Sequence, residues 1–173
     1  ENQIYNMYEV LGMIEASIAV ASFRQMLPYW SEPDFVSDKQ YGIHAKDVYH
    51  PLIKNPVANS LETKNNIILT GSNASGKSTF LRTIAINAVL SQSIYTSTSS
   101  EYVAPQYRIY SSMSLMDDLS NNSSYYIVEI RSLKRIIDAA CTGGKPVLCF
   151  VDEVLRGTNT VERIAASSEI LKF

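Results

Sequence analysis

The chain has 173 residues, 46% hydrophobic and 18% charged, which is the composition of a globular domain with one sizeable core and excludes a disordered tail. Its net charge of −2 excludes an overall basic field, so any contact with DNA needs a local patch or a part of the protein outside this piece. Cys141 and Cys149 lack metal-ligand spacing to a histidine and read as reduced core thiols of an intracellular, cytoplasmic protein, with no signal peptide in view.

From Ile4 to about Met26 apolar residues recur at helical spacing (Ile4, Met7, Leu11, Ile14, Ile18, Ala21), while Glu9, Glu15 and Arg24 interrupt them too often for a membrane span. The spacing predicts an amphipathic helix that packs on a neighbouring domain or on upstream chain. Pro28, Pro33 and the polar stretch Ser31 to Lys39 break the pattern, which divides the chain into residues 1–38 and a domain over 39–173. Tyr41 to Leu61 follows with turn signals at Pro51 and Asn55-Pro56 and short β-type runs between them, so a small extra sheet is expected; His44 and His50 are isolated and read as structural.

Ile67 to Thr70 is an apolar run expected as a strand, and GSNASGKST (Gly71, Ser72, Asn73, Ala74, Ser75, Gly76, Lys77, Ser78, Thr79) follows directly. It fits G-x-x-x-x-G-K-[ST], in which glycines let backbone N–H groups turn inward around phosphates, the lysine reaches the outer phosphates and the hydroxyl holds Mg²⁺. An amphipathic segment leaves the loop (Phe80, Leu81, Ile84, Ala85, Ala88, Val89), so a helix N-terminus faces the bound anion. The reading is a nucleotide site for ATP with Mg²⁺.

Beyond that helix, Ser91 to Ser100 reads as a solvated Ser/Thr loop, and Tyr107 to Leu115 as a strand. MDDLSNNSS then precedes a helix capped by Ser123 or Ser124, with Tyr126, Ile127, Ile130, Leu133, Ile137 and Ala140 as its apolar face; Glu129, Arg131, Lys134 and Arg135 are expected to point outward or toward a partner. Thr142 to Pro146 stops the helix, and Val147 to Val151 reads as a buried parallel strand that ends in Asp152-Glu153. Acids in that position after a phosphate loop suit an aspartate that assists Mg²⁺ and a glutamate that orients and deprotonates water. Alternating strands and helices predict an α/β doubly wound, mainly parallel sheet with its ligand at the strand C-termini.

GSNASGKST, DDLSNNSSYYIVEI and VDEVLRGTNT, in that order, resemble the three ATPase motifs of the MutS mismatch-repair family, commonly close to GPNMGGKST, DDL…STFMVEM and DEIGRGTST. Tyr49-His50-Pro51-Leu52 is similar to the family's lead-in, and Leu11 to Ser22 to the end of its long lever helices, so the likeness covers nearly the whole chain. The resemblance implies a P-loop NTPase of ABC-like fold, preceded by the end of a helical lever domain and continuing beyond Phe173. It implies an ATPase module in which ATP closes a homodimer and clamps DNA held by other domains, in mismatch repair or related DNA maintenance, with downstream repair partners. On the matching positions, Gly71 to Thr79 hold phosphates, Lys77 acts on them, Ser78 and Asp152 hold Mg²⁺, and Glu153 acts on water. Ser124, with Glu129 beyond it, acts in trans on the γ-phosphate of the other subunit, Val57 and Asn59 lie against the adenine, and Arg156 to Thr160 link the two sites.

Ser72, Ala74 and Ser75 replace the family's Pro, Met and Gly, and Leu155 and Asn159 replace a Gly and a Ser or Thr, which resembles a divergent branch. The isolated piece is expected to hydrolyse ATP poorly, since the family's later histidine and terminal dimerisation helices lie outside it. An ABC- or SMC-like ATPase is the alternative, though it would carry LSGGQ where SSYYIVE stands; a nucleotide-gated interaction module is another, and an anchoring membrane segment would lie outside this piece.

Overall fold

A computed structural model describes residues 2–38, 42–72, 74–113, 125–152, 154–155 and 159–172. It divides into two units, Glu1–Thr70 with Arg82–Pro105 and Gly71–Leu81 with Gln106–Phe173. Both mix helix and strand, as α/β patterning predicts, but the described strands make two sheets, a mixed four-stranded one and a parallel two-stranded one, in place of one doubly wound sheet.

In the first unit, helix α1 (Asn2–Met26) ends where Pro28 cannot continue it. Its apolar residues, among them Ile4, Met7, Leu11, Ile14 and Ile18, are exposed along the helix. Among the described residues, its last turn is the part tied to other segments. Arg24 stacks 4.1 Å over the Trp30 ring and donates to Tyr95 O at 2.9 Å and Thr96 Oγ1 at 2.9 Å. None of the described helices is long and apolar enough to cross a membrane.

Strands β1 (Asp34–Phe35), β2 (Ile43–Val48), β3 (Asn59–Thr63) and β4 (Glu101–Ala104) form the sheet in the order β1-β4-β2-β3. β2 runs antiparallel to both neighbours, with His44 opposite Glu62 and Val103, and a bulge between Ala45 and Val48 carries Asp47 at φ +50°. Its inward positions Ile43, Ala45 and Val48 are buried with Tyr49, Tyr102 and Ala104. The extra sheet expected from Tyr41 to Leu61 is therefore present, completed by β1 from before that span and β4 from well beyond it.

Helix α2 (Lys77–Ile94) buries Thr83, Ile84, Asn87, Ala88 and Ser91, while Val89, expected inside, is 49% exposed. The buried stripe is rotated toward polar residues because its neighbour is polar too. Thr96, Ser97, Thr98 and Ser99, expected in a solvated loop, are fully buried. Asn87 Oδ1 accepts from Thr98 N at 2.6 Å and Ser97 Oγ at 2.9 Å, and its Nδ2 donates to Tyr49 O at 3.3 Å and Thr83 O at 3.0 Å. Thr98 Oγ1 reaches Tyr49 O at 2.6 Å, and Ser97 Oγ shares a hydrogen with Ser99 Oγ at 2.7 Å. Short hydroxyl side chains go inside here because one another and the backbone satisfy them.

In the second unit, β5 (Arg108–Ser112) and β6 (Val147–Val151) pair in parallel from Arg108↔Val147 to Ser112↔Val151, and α3 (Tyr125–Cys141) joins them across the face. Arg108 fastens the helix C-terminus by donating to Ala139 O at 2.8 Å and Thr142 O at 2.7 Å. Helix α4 (Thr160–Lys172) follows. β5 and β6 match the expected strands. β6 is only half covered, however: Phe150 is buried, whereas Cys149 is exposed, as is Cys141 at the end of α3, so neither thiol is the core residue expected.

Ile67 to Thr70 is not a strand. The run has no ladder partner among the described residues, and Ile67 and Ile68 are 47% and 67% exposed. An extended apolar run becomes a strand only when a neighbour takes up its amides and carbonyls, and β-branching cannot supply one.

Candidate functional site

Small residues let the chain reverse sharply between Gly71 and Lys77. Ala74 sits at φ +61° and Gly76 at φ +89°, the left-handed region that glycine enters without strain and alanine at a cost of about 1 kcal/mol. Ser75 N donates to Ser72 O at 3.3 Å, which closes the first turn, and Phe80 N donates to Gly76 O at 2.8 Å, which opens the helix. Amides in the first turn of α2 have no carbonyl acceptor within the helix, and the helix dipole puts positive potential at that end.

Lys77, the first residue of α2, turns back over this loop. Its Nζ donates to Gly71 O at 2.7 Å and Ser72 O at 2.6 Å, which engages two of the three ammonium hydrogens and leaves one for a ligand. Lys77 and Ser78 are half-buried, while Gly71, Ser72, Ala74, Ser75, Gly76 and Thr79 are exposed. The loop sets a lysine ammonium beside the N-terminus of a helix, an arrangement suited to an anion.

Asp152, half-buried, belongs to the same unit. Its amide donates to Ser112 O at 3.1 Å, continuing the β5–β6 pairing past Val151, so it stands at the C-terminal edge of both parallel strands. Asn73, Ser124, Glu153, Arg156, Gly157 and Thr158 lie outside the described residues. Val57 and Asn59 belong to the first unit; Val57 is 81% exposed, and Asn59 Nδ2 donates to Val57 O at 3.2 Å.

Glu129 departs from expectation. Only 3% of it is exposed, and its Oε1 accepts from the amide of Leu155, which itself is buried at φ +53°. The buried stripe of α3 is accordingly Glu129, Ser132, Leu133, Ile136 and Ala139; Ile127 and Ile130, expected inside, are 40% and 37% exposed. Arg131, Lys134 and Arg135 are exposed as expected, with the Arg135 guanidinium 5.9 Å from the centre of the Tyr110 ring. The register turned on a backbone amide three positions past Asp152, which no helical periodicity of α3 contains.

The description "MutS domain V" belongs to the family model that matches residues 67–173. The chain is 30% identical to the DNA mismatch repair protein MutS of Pseudothermotoga lettingae over 178 residues, covering 98% of this chain and 21% of the relative. It is 30% identical to MutS protein homolog 4 of Mus musculus, covering 95% of this chain and 17% of that protein, and 29% identical to the Homo sapiens homolog 4, covering 98% and 18%. The chain thus spans about a fifth of the length of these relatives.

Proposed function

Since the chain belongs to the MutS family, we propose that it is the ATP-binding, ATP-hydrolysing module of a larger MutS-like protein that acts on DNA. The observation that carries this reading is Lys77 Nζ drawn over the Gly71 and Ser72 carbonyls at the head of α2, inside the matched segment. Lys77 and the loop amides from Gly71 to Thr79, Asn73 included, would grip the triphosphate. Magnesium, held by Ser78 and Asp152, would neutralise charge on the phosphate oxygens. Glu153 would take a proton from water as the water oxygen bonds to the γ-phosphorus and the bond to ADP breaks.

Ser124 from a second copy would face the γ-phosphate, so ATP would close a homodimer; Val57 and Asn59 would border the adenine. Residues 1–38 would be the end of a helical lever and linker, ahead of an ATPase domain over 39–173. DNA would be held by other domains, inside the cell. The Pseudothermotoga relative's name supports mismatch repair as the setting.

Hydrolysis of ATP by the full-length protein tests this. Phosphate release that requires Mg²⁺ and stops with a chelator is expected, whereas binding without turnover would favour a nucleotide-gated interaction module and absence of binding would refute the reading.

A further inference from the structure

Among the described residues, Glu129 is the single charged one on the buried stripe of α3; its buried companions there are Ser132, Leu133, Ile136 and Ala139. A carboxylate is an unfavourable choice for such a position unless something inside requires an acceptor. What requires it is the Leu155 amide, which Oε1 engages, while Oε2 is buried with no partner among the described residues. Leu155 needs holding: at φ +53° it adopts a conformation that a branched side chain resists, three residues after Asp152. The chain from Asp152 to Leu155 is therefore pinned at both ends, by the Asp152 amide on Ser112 O and by the Leu155 amide on Glu129.

The geometry points to Glu129 as a positioning residue for hydrolysis: it fixes, within one chain, the turn by which the backbone leaves the end of β6 after Asp152. The inference rests on the ATPase reading above and extends it, because it gives this glutamate a task inside its own subunit. Buried at 3% exposure, Glu129 acts through the backbone of Leu155. The role requires an acceptor at the right reach and does not require the charge.

Three variants of the full-length protein separate these demands. Glu129→Leu keeps bulk and removes the acceptor, Glu129→Asp keeps charge and shortens the reach, and Glu129→Gln keeps acceptor and reach. The Leu and Asp variants should lose about tenfold or more in kcat with KM for MgATP within about threefold of wild type, while Gln should stay within about threefold in both. A Leu variant as fast as wild type, a Gln variant as slow as Leu, or a loss confined to KM would each overturn the proposal.

Amide hydrogen exchange decides the point independently of turnover and of how well the Leu variant folds. The Leu155 amide should be protected in wild type and in Glu129→Gln, and should lose protection in Glu129→Asp while the β6 amides keep theirs. An unprotected Leu155 amide in wild type overturns the clamp. A wild type inactive toward MgATP with a protected Leu155 amide would instead refute the ATPase reading and leave the clamp standing.

Discussion

Glu153→Gln in the full-length protein should bind MgATP about as tightly as wild type and hydrolyse it at least about a hundredfold more slowly, whereas Lys77→Ala should fail at binding itself. The first magnitude follows from general-base catalysis, which contributes about 10²–10⁴ in rate. An amide of the same shape keeps the loop, the cation and the metal ligands but cannot take the proton. The second follows from charge-assisted hydrogen bonds, worth about 1.5–3 kcal/mol each, so one lost ammonium–phosphate contact weakens affinity by about 10- to 150-fold. Alanine at 77 also removes the donors now on Gly71 O and Ser72 O, so the cradle loses a strut as well as a charge. Equilibrium binding of a fluorescent ATP analogue and single-turnover phosphate release separate the two effects. Equal behaviour of both variants would contradict the assigned roles.

Asn87→Ala should be the most destabilising single change in the first unit, by about 3–5 kcal/mol, measured as the shift in urea-unfolding free energy. Asn87 is fully buried and serves as both donor and acceptor to partners from three segments. Its loss strands the Thr98 amide where water does not reach and leaves the Ser97 hydroxyl with Ser99 Oγ alone. Each buried orphan costs about 1–3 kcal/mol, and a typical domain has only about 5–15 kcal/mol in all. Ser93→Ala, which removes an exposed hydroxyl bonded to Val89 O, should change stability by less than about 0.5 kcal/mol and serves as the control. Comparable effects of the two substitutions would mean that the polar cluster contributes nothing beyond its packing.

The two sites of greatest interest differ in how far the sequence disclosed them. GSNASGKST was legible because its chemistry is local: glycine, lysine and hydroxyl positions within nine residues dictate a turn, a cation and a helix start, and all are seen except at Asn73, outside the described residues. β6 with its terminal acid and the helix before it were legible for a similar reason, an uninterrupted apolar run and a sustained period. Thr96 to Ser99 was misread because hydroxyl side chains look alike whether water or a buried asparagine satisfies them. The signal that could have found them was Asn87, a poor helix former lodged among the apolar positions of α2. Glu129 was misread because Ile127, Ile130 and Ile137 share one helical stripe while Leu133 and Ile136 share another; what chose between them was the Leu155 amide, distant in sequence. The run Ile67 to Thr70 shows the same limit, since strand formation belongs to a pair of segments and not to one.

An acyl-phosphate derivative of ATP, which transfers its acyl group to a lysine lying against the bound phosphates, tests the central claim most directly. With the full-length protein, peptide mapping should find the label on Lys77, suppressed by excess MgATP and retained when AMP is the competitor. Labelling that avoids Lys77, or that MgATP does not displace, would contradict the account.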